Sequence, residues 1–179
     1  MIEKLDAIDI KILKVLQQNA KLTTKELAEA VHLSPSPTFE RQKRLEREGY
    51  IQKYVAIVDP NMAGNDMMVL CNIRLKQHGK EYAREFVDAV KEMEEVTECY
   101  NTSGDFDYII KVFVRNMPHY QDFVLNRLGE MESIGSVHSV VVIGTVKCLH
   151  SVPVAKWFFL NATWLRVGKL MRRPHVAGI

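Results

Sequence analysis

Residues 33–51, LSPSPTFERQKRLEREGYI, predict one short helix with a marked start and a marked stop. Ser34 is expected to cap the helix through its side chain, and Pro35 suits the first helical position, where a missing N–H costs nothing. Gly49 suits the left-handed residue that ends a helix. The cations Arg41, Lys43, Arg44 and Arg47 are expected to face outward, opposite a packing stripe of Thr38, Gln42 and Leu45. One face of the helix would therefore pack, and the other could meet phosphate groups.

Two predicted helices precede this one at the spacing of a helix-turn-helix. Apolar residues recur every three or four positions over residues 5–18, which predicts the first helix. Thr23 and Glu26 form a capping-box pattern, which predicts a second helix over residues 24–31. A very short turn then leads to Ser34, as in a helix-turn-helix whose second member enters the DNA major groove. From the spacing alone, a three-helix bundle with a solvated basic helix is an equal alternative.

Composition limits the classes of protein to which the chain could belong. With 179 residues, 47% of them hydrophobic, it has enough apolar material for one or two ordinary cores. It has no signal-peptide start and no apolar run long enough to span a membrane, so we expect a cytoplasmic protein with no membrane partner. The net charge of +2 comes from residues 157–179, which contain basic residues and no acidic ones. A nucleic-acid footprint would therefore have to be local to residues 41–47.

A second domain is predicted after a turn-rich linker at residues 59–64. Strands are expected at residues 67–75, 96–101, 107–114 and 137–146, helices at 81–94 and 118–128, and a short linking strand at 53–58. The order βαββαβ is that of a ferredoxin-like domain, an antiparallel four-stranded sheet with both helices on one face. The fold class is therefore α+β. Because the second face of such a sheet needs a cover, the pattern also predicts a homo-oligomer.

Three motifs in order give the chain a resemblance to a known family. They are LDAIDIKILKVLQQNAK at residues 5–21, LSPSPTFERQKRLEREGYI at 33–51 and SGDFDYIIKV at 103–112. Over residues 3–156 the chain resembles the Lrp/AsnC (leucine-responsive/asparagine-responsive, feast/famine) family of transcriptional regulators. The resemblance implies an N-terminal winged helix-turn-helix followed by a ferredoxin-like domain. In the family that domain dimerises, often assembles into octamers and senses amino acids between subunits.

The resemblance also implies domain bounds and a DNA-binding surface. The helix-turn-helix domain would span residues 1–60 and the effector and oligomerisation domain 61–156, with a basic, apolar tail at 157–179 outside the resemblance. The family's DNA-facing turn and recognition helix correspond here to Ser34, Ser36, Thr38, Arg41 and Arg44. Lys43 and Arg47 would contact the DNA backbone. Gln42 departs from the family's pattern, in which an apolar packing residue is usual at this position.

A second site is expected in the loop at residues 103–107. From the residues alone, its Gly-Asp pair is an ordinary hairpin turn. The resemblance implies instead an amino-acid effector site comprising Ser103, Gly104, Asp105, Asp107 and, more weakly, Thr145. Asp105 and Asp107 would pair with the α-ammonium group, and free backbone N–H groups would hold the α-carboxylate. Asp107 could instead only cap the strand that follows.

No catalytic or metal-binding pattern is present in the sequence. The six histidines are scattered, the three cysteines lack a CxxC spacing, and no Ser/His/Asp grouping or phosphate-binding loop occurs. We therefore expect no metal and no cofactor, and a sequence-specific DNA-binding transcriptional regulator modulated by a small amino acid. A siroheme-decarboxylase-like enzyme on the same architecture and an amino-acid-sensing adaptor that does not bind DNA are the alternatives. The basic helix argues against the enzyme, and failure to shift DNA would favour the adaptor.

Overall fold

The computed structural model of the chain describes residues 5–154, which form two compact units. Among these residues, 5–55 and 149–154 belong to the first unit and 56–148 to the second. In the first unit, the Val152 N–H donates a hydrogen bond to Gln17 Oε1 at 2.6 Å, and Val154 lies against the helical core. The basic tail expected at residues 157–179 lies outside the described residues.

Three helices build the first unit: α1 (Ala7–Gln18), α2 (Thr24–Val31) and α3 (Pro35–Arg47). Thr23 and Glu26 form the predicted capping box at the start of α2. Beyond α3, Gly49 takes the predicted left-handed conformation, with φ of 79°. The apolar stripes of the helices meet in a core that includes Ile12, Leu16, Leu27, Val31 and Leu45. The predicted order and the tight turn between α2 and α3 are thus confirmed.

The second unit is an antiparallel sheet with helices inserted between its strands. In chain order its elements are β1 (Met67–Leu75), α4 (Lys80–Lys91), β2 (Val96–Asn101), β3 (Tyr108–Val114), α5 (Met117–Phe123) and β4 (Ile134–Val141). A single π-helical turn, Val124–Leu128, continues α5. The strands lie in the order β2-β3-β1-β4, so β1 and β3 are central. This is the ferredoxin-like arrangement that the βαββαβ pattern predicts.

The helices cover one face of the sheet and leave the other face open. Alternate residues of β1 and β3 are buried against α4 and α5, among them Val69, Cys71, Ile73, Ile110 and Val112. Phe86 of α4 and Phe123 of α5 lie in the same core. Cross-strand register places Leu70 beside Val140 and Ile109 beside Tyr100 on the opposite face. There Tyr100 is 54% exposed and Val140 is 43% exposed. Within residues 5–154, an apolar surface therefore remains uncovered on this face.

Two strand predictions are wrong. Residues 53–58 form no strand within the described chain, and Val55 and Ile57 are exposed, because no neighbouring strand pairs with them. The last strand spans Ile134–Val141 and not residues 137–146, since its partner β1 begins at Met67. A run of β-branched residues marks strand propensity, but the length of a strand is set by its neighbour.

Candidate DNA-binding surface and effector site

The start of α3 presents two exposed serines, whereas the third predicted hydroxyl is buried. Ser34 and Ser36 are exposed, but Ser34 makes no side-chain capping bond within the described residues. Instead, Thr38 Oγ1 donates to the Ser34 carbonyl oxygen at 2.9 Å. Thr38 is completely buried. Its hydroxyl can be buried without loss because it forms this hydrogen bond inside the helix. The structure therefore corrects the predicted Ser34 cap and confirms Thr38 in the predicted packing stripe. The burial of Thr38 disagrees with the DNA-facing place that the resemblance implies for it.

Two arginines that were expected to face outward bind α1 instead. Arg41 Nη1 donates to Asp6 Oδ2 at 2.6 Å and to Asp9 Oδ1 at 2.7 Å. Arg44 Nη2 lies 2.6 Å from the same oxygen of Asp9. The Asp9 side chain is only 1% exposed, and the side chains of Arg41 and Arg44 are 29% and 26% exposed. Both side chains are therefore partly exposed but bound to α1, a contact that the sequence analysis did not predict.

The ion pairs shift the pKa of two groups in this cluster. Hydrogen bonds to Asp6 and Asp9 raise the pKa of the Arg41 guanidinium. Partial burial by itself raises the pKa of Asp6, but the hydrogen bonds from the Asp9 N–H and from Arg41 outweigh it and lower the pKa below its ordinary value. Both groups therefore stay charged at neutral pH, which keeps the pair intact.

The remaining predicted cations, Lys43 and Arg47, lie on the exposed side of α3. Lys43 Nζ lies 2.7 Å from Glu46 Oε2, which raises the pKa of Lys43, and 5.6 Å from the centre of the Phe39 ring. A shallow depression of about 600 Å³ runs along this side of the helix. It is lined by Pro37, Phe39, Glu40, Arg41, Lys43, Arg44 and Arg47. The exposed side is thus mainly basic, as a DNA-facing helix requires.

Gln42, the residue that departs from the family's pattern, joins a polar cluster instead of an apolar one. Its Nε2 donates to Tyr54 Oη at 3.0 Å and to Glu46 Oε1 at 3.3 Å. Tyr54 Oη in turn donates to Glu46 Oε1 at 2.9 Å. Sequence reasoning did not select Tyr54, because nothing in a linker sequence indicates which helix its side chain contacts. The cluster ties Tyr54 to α3.

The loop between β2 and β3 holds the predicted effector residues in a defined conformation. Gly104 has φ of 126°, a conformation that favours glycine, and a Cβ there would meet open space. Arg74 Nε and Nη2 donate to the Asp105 carbonyl oxygen at 3.0 and 2.6 Å. Asp107 Oδ2 accepts the Leu75 N–H at 2.8 Å. Bonds to β1 therefore anchor the loop on both sides of residue 106.

This loop forms one wall of a cavity of about 350 Å³. The cavity is lined by Arg74, Leu75, Lys76, Gln77, His78, Gly104, Asp105 and Asp107. Three of the predicted effector residues are thus brought together at one end of β1. The lining from residues 74–78 was missed by sequence reasoning, because a strand's end and a distant loop meet only through the β1–β3 pairing. His78 Nδ1 lies 3.5 Å from Asp107 Oδ1, so the missed segment touches the predicted one.

The other two predicted effector residues do not line the cavity. Ser103 is exposed in the same loop but is absent from the lining. Thr145, expected on the last strand, lies beyond the end of β4 at Val141 and is exposed. The prediction that places Thr145 on a strand is wrong, for the same reason that β4 ends early. Three of the five predicted effector residues therefore line the cavity, and two do not.

The described residues form neither a metal cluster nor a membrane-spanning helix. No group of three or more His, Cys, Asp or Glu side chains is arranged to hold a metal ion within residues 5–154. In the same residues, no helix has the length and apolar character needed to cross a membrane. The two candidate sites that the described residues form are the charged loop cavity and the basic side of α3.

Together these features define a class: a regulator that binds DNA through a helix-turn-helix and a ligand through a ferredoxin-like domain. Comparison with known families agrees. Residues 5–52 match the winged helix-turn-helix DNA-binding family, and residues 68–152 match the Lrp/AsnC ligand binding domain. The chain belongs to the Lrp/AsnC family of transcriptional regulators. It is a DNA-binding transcription regulator whose action is modulated by a ligand.

Similar proteins cover most of the chain. The leucine-responsive regulatory protein of Haemophilus influenzae is 38% identical over 143 residues, which are 80% of this chain and 86% of that protein. The protein of the same name from Escherichia coli K12 is 36% identical over 80% of this chain and 87% of its own length. A transcriptional regulator from Neisseria meningitidis, solved as a complex with L-Met, is 33% identical with a TM-score of 0.82. That match covers 84% of this chain and 97% of the solved one.

Proposed function

We propose that the ligand of this regulator is a small amino acid, held in the cavity beside Gly104, Asp105 and Asp107. The observation behind the proposal is that the cavity combines carboxylates with cationic side chains within about 350 Å³. A free amino acid at neutral pH offers both charges, so such a lining matches it. The names of the similar proteins, leucine-responsive in one case and an L-Met complex in another, support the same class of ligand.

The contacts divide the roles of the two aspartates. Asp107 uses one oxygen to accept the Leu75 N–H and faces His78 with the other, so it holds the cavity wall. Asp105 offers its carboxylate at the exposed tip of the loop, while its carbonyl oxygen is held by Arg74. We therefore assign the α-ammonium contact to Asp105. The α-carboxylate is assigned to the basic lining at Lys76 and to free backbone N–H groups of the loop.

Calorimetric titration of the full chain with each of the twenty amino acids tests this proposal. At least one amino acid should bind to the wild type, and Asp105→Ala should weaken the binding of that amino acid. The same variant should still bind DNA in the absence of the amino acid. Asp107→Ala should also weaken it by loosening the wall. Asp88→Ala is the matched control, since it removes a carboxylate from the exposed face of α4, outside the cavity. Full affinity in both loop variants would contradict the proposed pocket.

The proposed DNA interface is the exposed side of α3. Ser34 and Ser36 lie at its N-terminal end and Lys43 and Arg47 along its length, all exposed. Hydroxyl and cationic groups in this arrangement suit phosphate contacts, and the helix start suits base contacts in the major groove. We propose that the regulator acts by binding alone, in the cytoplasm, and recognises a specific operator.

Salt-dependent binding to a duplex selected from a random-sequence library tests the interface. Each lost phosphate contact should reduce the slope of log affinity against log salt by about 0.9. We expect this reduction for Lys43→Ala and for Arg47→Ala, whereas Lys91→Ala on α4 should leave the slope unchanged. Failure of the wild type to select any duplex at low salt would favour the adaptor that does not bind DNA.

We also propose that the chain is a homo-oligomer, at least a dimer, formed through the open face of its sheet. Tyr100 and Val140 are exposed on that face, beside the half-buried side chains of Leu70 and Ile109. An apolar face of this kind is an uncommon feature of a monomer and is typical of an interface. A second copy offers an identical apolar face, which makes a symmetric pair of sheets the simplest cover.

A further inference from the structure

The buried carboxylate of Asp9 occupies an unusual place for a charged group in so small a domain. It lies in the first turn of α1, and its side chain is 1% exposed. Its Oδ2 accepts the Asp6 N–H at 2.9 Å, within the capping box of α1. Its Oδ1 receives Arg41 Nη1 at 2.7 Å and Arg44 Nη2 at 2.6 Å. Both oxygens of the carboxylate are therefore held by groups in fixed positions.

These bonds constrain α3 in a way that its apolar contacts do not. Leu45 and Ile12 bury apolar surface, which is favourable over a range of rotations because the hydrophobic effect has no direction. A charge-assisted hydrogen bond is directional, and a buried carboxylate that loses its partners is strongly destabilised. Arg41 and Arg44 are three positions apart and so lie on one side of α3. Holding both fixes the rotation of α3 about its axis.

We propose that Asp9 is a positioning residue for DNA recognition, which sets the rotation of α3 by binding Arg41 and Arg44. The proposal rests on the proposed function of α3 as the helix that meets DNA. In this arrangement the two arginines act through α1, and the exposed Lys43 and Arg47 contact the phosphates. Asp9 itself touches no DNA, since it is buried beneath the helix that does.

The direction in which Asp9→Asn changes the affinity for DNA distinguishes this role from one in which the arginines contact phosphates. Asp9→Asn removes a negative charge beneath a basic surface. If the arginines contacted phosphates, the variant should bind a negatively charged duplex more tightly, because both cations would be released toward it. If Asp9 positions α3, binding should weaken by about 5- to 150-fold, the range expected for losing a base contact. The salt slope should remain that of the wild type, because no phosphate contact is removed.

Glu40→Gln is the matched control for charge. Glu40 is an exposed carboxylate on the same helix and lines the same basic depression, but it takes no part in the Asp9 cluster. Its replacement makes the same change in charge without releasing an arginine, so it should bind the selected duplex as tightly as the wild type or more tightly. Weaker binding by Glu40→Gln equal to that of Asp9→Asn would overturn the positioning role.

Arg41→Lys gives a second test, for the case in which circular dichroism shows that Asp9→Asn is unfolded. This variant keeps a cation beside the buried carboxylate of Asp9. Lysine keeps the positive charge, but its ammonium nitrogen lies one bond nearer the backbone than Arg41 Nη1, so it falls short of the position from which Nη1 binds both Asp6 and Asp9. We expect weaker binding to the selected duplex, with an unchanged salt slope and an unchanged affinity for a scrambled duplex. Full retention of specific affinity would overturn the proposal.

The same measurements separate this proposal from that for the interface. Unchanged salt slopes in Lys43→Ala and Arg47→Ala would contradict the proposed DNA face of α3. Reduced slopes in those two variants, together with tighter binding by Asp9→Asn, would leave the DNA face standing and reject Asp9 as a positioning residue.

Discussion

Gly104 shows at the scale of a single residue how the loop depends on backbone conformation. Its φ of 126° is one that other L-residues rarely adopt, yet a Cβ at this position would meet no atom within 4 Å. Gly104→Ala should therefore destabilise the chain through strain alone, by about 1–2 kcal/mol. Urea denaturation should show a lower midpoint with an unchanged slope. Gly144→Ala is the control: it also has open space but no such φ, so its effect should stay within about 0.5 kcal/mol.

The lowered pKa of Asp6, again a property of a single residue, leads us to expect that the stability of the protein depends on pH. Because its folded pKa is lowered, its contribution to stability is present above the unfolded pKa of about 3.9 and is lost as pH falls through the folded value. Asp6→Asn keeps a capping side chain but removes the ion pair with Arg41. Below about pH 4, the free energy of unfolding of the wild type should fall more steeply than that of the variant. Parallel curves through this range would contradict the lowered pKa.

At the scale of an element, the capping box holds the start of α2. Thr23 Oγ1 accepts the Glu26 N–H at 3.3 Å, and Glu26 Oε2 accepts the Thr23 N–H at 2.7 Å. Thr23→Ala should cost about 1 kcal/mol of stability, seen as a lower Tm in thermal unfolding. Thr24→Ala changes the same residue type one position later, inside the helix, where alanine is the better helix former. It should leave the Tm unchanged or raise it, and an equal loss in both variants would argue against the box.

At the scale of the whole molecule, oligomerisation is predicted to depend on the open face of the sheet. Val140→Asp places a charge on that face at a side chain already 43% exposed, so the single chain should remain folded while its association is lost. Sedimentation velocity should then give a monomer, with unchanged circular dichroism. Met62→Asp is the control, because Met62 is 87% exposed in the linker turn, away from the sheet. A dimeric Val140→Asp variant would locate the interface elsewhere.

Local signals were enough to predict most elements of this fold. The bounds of α2, β1 and β2 follow from capping residues, alternation and flanking turns, all of which act within a few residues. The end of β4 could not be predicted in this way, because it depends on where β1 begins. The strand predicted at residues 53–58 is wrong for the same reason. Its β-branched side chains favour a strand, but a strand needs a neighbouring strand to pair with.

The order of the elements and the family follow from the sequence alone, since capping, periodicity and the three motifs are local properties of the chain. Tertiary contacts, in contrast, settle which cations of α3 are bound to α1. Arg41 and Arg44 cannot be told apart from Lys43 and Arg47 in the sequence, but a buried carboxylate far away along the chain binds the first two. The same holds for the lining at residues 74–78, which joins the effector loop only through strand pairing. Contacts between distant residues form when the helices and strands pack, so no local pattern could reveal them.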